Sequence, residues 1–152
     1  MMPEQSLPEI QRNFAVDLFN LTWDLMEKSD RSQAETDQMI QAAHASRYHW
    51  GMVGEPVNLA RGEWQVSRVY TILQRSDPCL YHAKRCLQIT LDNDLHDFDL
   101  AFAYEAIARA NLLAGDTTET EKFISLAKEA GEAIEDKADR DYFMTELSTI
   151  KY

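Results

Sequence analysis

Five residues in two segments have the chemistry of a recognition surface: Arg61, Trp64 and Arg68 in one, Glu105 and Arg109 in the other. A guanidinium carries a planar fork of donors that fits a carboxylate bidentately. If Arg68 and Arg109 come together in a chain of net charge −11, they predict a site for an acidic peptide or a C-terminal carboxylate. The competing expectation is that Glu105 and neighbouring carboxylates neutralise them as interhelical ion pairs.

A second candidate lies in Ala43-His44-Ala45-Ser46-Arg47-Tyr48-His49-Trp50, followed by Gly51. His44 and Tyr48 share a helix face. His44 and His49 are about 140° apart at ~3.6 residues per turn, which is not the paired-histidine spacing of a metalloprotease. With Arg61, the residues His44, Tyr48, His49 and Trp50 could rim a small-molecule or hydrolytic pocket. Core packing and the attraction of a histidine to a helix C-terminus account for the same residues.

Cys79, His82 and Cys86 are zinc-ligand types at i, i+3 and i+7. Three ligands on one straight helix are hard to bring round one ion, and no fourth is evident, so no metal is expected. The two cysteines would lie ~10 Å apart along a helix, too far for a disulfide, and should be free thiols. The aspartates from Asp92 to Asp99 lack the glycine and terminal glutamate of a calcium loop and read as caps and a solvated turn. No phosphate-binding glycine loop, nucleophile elbow or Cys-x-x-Cys occurs. The expectation is a non-catalytic protein without a cofactor.

Composition bounds the rest. The 152 residues, 45% hydrophobic and 27% charged, suit one globular domain with its own core. The acidic balance, with a pI near 4.7, repels phosphate backbones and argues against nucleic-acid binding. The opening Met1-Met2-Pro3-Glu4-Gln5-Ser6 has neither a basic start nor an apolar stretch, so no secretory leader is expected. No run approaches a membrane span, and a cytoplasmic location follows.

The apolar spacing is helical throughout and predicts seven helices. The first covers about 8–29, with one stripe of Phe14, Leu18, Leu21 and Leu25 and a second of Phe19, Trp23 and Met26. The second covers 33–50, capped by Asp30 or Ser32. Gly51 to Pro56 reads as the clearest loop. A third helix runs over 57–75. The fourth starts with Asp77 as cap and Pro78 in the first helical position and carries Leu80, Ala83, Leu87 and Leu91. The fifth, 97–114, stops at Gly115. Asp116 and Glu119 have capping-box spacing for the sixth, which runs through Phe123, Ala127, Ala130 and Ile134. The last begins at Asp136, with Phe143, Leu147 and Ile150 on one face.

Residues 66–87 and 107–128 carry the same spaced pattern, offset by 41 positions (Ser67 to Ala108). Val66-Ser67, Tyr70, Cys79, Ala83 and Cys86 correspond to Ile107-Ala108, Asn111, Thr120, Ile124 and Ala127. Over about residues 58–135 this resembles the tetratricopeptide-repeat family. Tyr104, Ile107 and Ala108 stand where that family has Trp, Leu and Gly, and Gly115-Asp116 looks like its inter-helix turn. Trp64 stands one residue off the family's Trp position, no proline closes either repeat, and the spacing exceeds the family's standard. The resemblance implies a right-handed α-α superhelix of about seven antiparallel helices. It would divide into an N-terminal hairpin (8–50), two repeats (57–93 and 97–135) and a capping helix (136–150). It also implies a concave groove for proteins or peptides, faced by Arg61, Trp64, Arg68, Glu105 and Arg109. The partner would be a protein or peptide with acidic or C-terminal carboxylate groups, or a second copy of the chain.

Overall fold

The computed structural model describes residues 3–152; Met1 and Met2, part of the opening read above for a leader, lie outside them. Among the described residues the protein is all-α, with seven helices and no strand. They are α1 (Leu7–Glu27), α2 (Gln33–Val53), α3 (Pro56–Ile72), α4 (Ser76–Asp92), α5 (Phe98–Ala114), α6 (Thr117–Glu132) and α7 (Lys137–Leu147). None is long and apolar enough to cross a membrane.

Local chemistry sets most helix ends. Ser6 and Ser32 accept from the backbone N–H of Glu9 and Glu35, whose side chains reach back to the caps, so two orphan donors are satisfied reciprocally. Asp116 and Asp136 cap α6 and α7 through the N–H groups of Glu119 and Asp139. Gly115, at φ 81°, ends α5 in the left-handed conformation that lacks a steric cost only for glycine.

Several boundaries differ from the sequence reading. α2 continues through Gly51 to Val53, and only Gly54 and Glu55 connect it to α3. Arg12 of α1 holds this extra turn: its guanidinium lies 5.5 Å from the Trp50 ring and donates to the Val53 carbonyl. α4 starts at Ser76 with Arg75 as cap, so Asp77 is not the cap. Pro78 still falls in the first turn, where a missing N–H leaves no bond unmade. α3 stops at Ile72, and Gln74 turns the chain at φ 57°. At the far end Ala133 and Ile134 lie beyond α6, and Ile150 is buried beyond α7.

The most extensive packing joins α1 to α2, α3 to α4 and α5 to α6. These pairs then meet through α2–α3, α4–α5 and the odd-numbered helices α1–α3 and α3–α5. α7 closes on α5 and α6. Ser67 and Ala108, the equivalent small residues, are both buried between paired helices. Ser67 Oγ donates to the Cys79 carbonyl at 2.9 Å, and Ala108 packs in one cluster with Ala127. A small side chain at each point lets the backbones approach. Two stripe residues depart from the expected core: Phe14 and Leu91 are both about half exposed.

Candidate functional site

The odd-numbered helices carry a wall of aromatic rings. Phe19 and Trp23 come from α1, Trp64 from α3, Phe98 and Phe102 from α5, and Tyr142 from α7. Trp23 lies 5.7 Å from Trp64, Trp64 lies 5.7 Å from Phe102, and Phe102 lies 4.6 Å from Phe98 and 6.0 Å from Tyr142. These spacings lie within the range of favourable ring pairs. The rings line a mostly apolar recess of 430 Å³, partly open to solvent, a size typical of ligand pockets. Ala60 and Cys86 are small lining residues that leave this space open. Arg61 crosses its edge and donates to Asp99 through Nε at 2.8 Å and Nη2 at 3.2 Å. Asp139 is a second carboxylate in the lining.

Arg68 and Arg109 stand side by side, as their equivalent positions predict, but both meet the carboxylate between them. Arg109 donates to Glu105 Oε1 at 2.6 Å, and Arg68 reaches the same oxygen at 3.4 Å. Arg68 also donates to Glu146 Oε2 at 2.6 Å. Arg109 donates to the Glu146 carbonyl and to Thr149 Oγ1. Glu105 is fully buried, and its Oε2 has no protein partner. The C-terminal part of α7 therefore covers both guanidiniums. The five expected groove residues divide in two: Arg61 and Trp64 line the aromatic cavity, while Trp64, Arg68, Glu105 and Arg109 surround a much smaller gap beside it.

The histidine-rich segment does not form one pocket. His49 bonds Gln11 through Nδ1 and stacks on Phe14 at 5.3 Å. Tyr48 is exposed and Trp50 is buried. His44 Nε2 shares a hydrogen bond with the Tyr70 hydroxyl at 2.9 Å and meets the His82 ring at 5.4 Å. Arg61 belongs to the aromatic cavity and joins neither histidine. The zinc-type triplet also diverges. Cys79 packs against Ser67 and Thr71, and His82 Nδ1 sits 2.6 Å from Glu63 Oε2. Cys86 is buried, and burial pushes its thiol up to about 12, which leaves it a poor nucleophile.

Glu63 links three helices, since Arg47 of α2 donates to its Oε1 at 3.0 Å while His82 of α4 holds the other oxygen. Burial opposes its ionisation, but His82 and Arg47 outweigh that and hold the carboxyl below its ordinary range. His44 is pushed below its ordinary 6.5, first by burial and then by the facing His82, against a smaller opposing pull from Glu63. A histidine with a depressed value binds its proton more readily in the unfolded chain, so folding stability rises with pH through that window. The melting temperature should therefore fall as pH drops from 7 through 6.5 towards 5, and His44→Gln should flatten this slope. A slope unchanged in the variant would exclude His44 as its source.

The sequence reading missed Phe98, Phe102, Asp99, Asp139 and Tyr142 as site residues. Phe19 and Trp23 did leave a signal, because a second apolar stripe on α1 means a second covered side. Asp99 was hidden among four aspartates that read as caps. Only Asp97 of these caps α5, accepting from Phe98 N–H. Compared with family models, with curated proteins and with solved structures, the chain finds no match in any of the three.

Proposed function

We propose that this is a non-catalytic binding module of cytoplasmic, tetratricopeptide-like architecture, whose odd-numbered helices present the aromatic cavity to a protein or peptide partner. The observation that carries this reading is the cavity itself: rings from four separate helices converge on 430 Å³ of space that the chain does not fill. The pairing of α3 with α4 and α5 with α6, with small residues at equivalent contacts, supports the repeat architecture. Aromatic anchors seated in such recesses dominate the affinity of many interfaces. Arg61 is the groove cation with most surface in solvent, and a partner carboxylate there would compete with Asp99.

Selection from a displayed random-peptide library supplies ligands whatever the natural partner is. Tyr142 is half exposed at the cavity edge, so Tyr142→Ala removes a wall with little effect on the core. Peptides selected on the native protein should bind this variant at least about tenfold more weakly, as loss of an aromatic contact to the ligand predicts. Equal affinity for both proteins would place recognition elsewhere.

A further inference from the structure

We infer that the aromatic cavity takes an N-methylated ammonium group; this deepens the reading above and rests on the cavity being the binding site. Three features of the lining choose the charge. The lining is largely aromatic, and the quadrupole of an aromatic ring attracts cations to its face and disfavours anions there. Trp64 and Phe102 meet edge to face at 86°, so the lining rings are not all parallel, and Trp23 and Tyr142 lie beside them. One face of Trp64 already lies 5.3 Å from the Arg68 guanidinium, a cation of this chain placed on the same ring.

The fixed charges point the same way. Arg61 commits Nε and Nη2 to Asp99, and Asp139 adds a carboxylate to the lining. The next cations, Arg68 and Arg109, are matched by Glu105 and Glu146. The local balance is negative, within a chain of net charge −11. A cation gains from that field, and an anion has to break an existing pair.

Methylation follows from hydrogen bonding. A primary ammonium brings three donors that need partners, and a mostly apolar lining cannot supply them without cost. Methyl groups replace those donors with apolar surface that packs on the rings while the charge remains.

The experiment uses three probes with the same tert-butyl-like head: choline, 3,3-dimethyl-1-butanol and 3,3-dimethylbutyrate, which are cationic, neutral and anionic. Trp23 and Trp64 line the cavity, so their fluorescence reports occupancy. Choline should bind at least about tenfold more tightly than the neutral alcohol, and the butyrate should not saturate. Asp139→Asn should weaken choline several-fold and leave the alcohol unchanged. A short peptide carrying trimethyllysine distinguishes the source: tighter binding than choline assigns the group to a protein partner, and equal binding assigns it to a free small molecule. Equal binding of choline and the alcohol, preference for the butyrate, or no binding of choline or the peptide would overturn the inference. The library test with Tyr142→Ala would still decide separately whether the cavity is the binding site.

Discussion

Glu105→Gln should lower the stability of the fold by about 3–5 kcal/mol, the range seen when one member of a buried ion pair is removed. Glu105 is fully buried, and its Oε1 serves both Arg68 and Arg109. The substitution keeps the shape of the side chain and removes the charge. Arg68 would retain Glu146, but Arg109 would keep only the Glu146 carbonyl, Thr149 and no carboxylate. The cost is the stranding of a largely buried guanidinium, so it exceeds what an exposed pair contributes, roughly 0–1 kcal/mol. Urea unfolding at neutral pH measures it. A change below about 0.5 kcal/mol, ordinary for a surface substitution, would mean that the cluster is solvated in solution and that both arginines are available to a ligand. The same comparison decides what the two guanidiniums are for. If they are structural, Arg68→Ala lowers stability and leaves the affinity of selected peptides unchanged.

Truncation of Phe143 should be as severe, with Phe143→Ala costing about 3–5 kcal/mol. Its ring is completely buried, stands edge-on to Phe102 at 4.9 Å, and presses on Gly131. A Cβ at Gly131 would lie 2.4 Å from that ring, so the contact exists only because residue 131 has no side chain. α7 depends on this anchor, and α7 also delivers Glu146 to Arg68 and Tyr142 to the aromatic cavity. Loss of the ring should therefore raise hydrogen exchange along α7 before the rest of the fold opens. Protection along α7 unchanged in the folded variant would show that the helix docks by other contacts.

The helix class and number were legible in the sequence for a physical reason. Periodicity, caps and breakers act within a few residues, and Ser32, Gly115, Asp116 and Asp136 do in the structure what their types and spacings predict. Ser67 and Ala108 are both buried, as small residues at close helix contacts should be. Boundaries that depend on distant partners were not. A glycine costs a helix interior about 1 kcal/mol relative to alanine, yet α2 passes through Gly51 while Arg12, 41 residues from Val53, holds the added turn.

The site divides along the same line. The 41-position offset predicts Arg68 and Arg109 side by side, and both reach Glu105 Oε1. Whether they face a ligand depends on where α7 folds back, and Glu146 reaches Arg68 across 78 residues of chain. Likewise, no local spacing joins Phe19, Trp64, Phe102 and Tyr142, one from each odd-numbered helix. The sequence by itself determined the helical class and the number of helices, because those follow from short-range sterics and hydrogen bonding. Only the tertiary structure decided which charges cancel and which rings enclose a cavity, because those depend on distances between segments far apart in the chain.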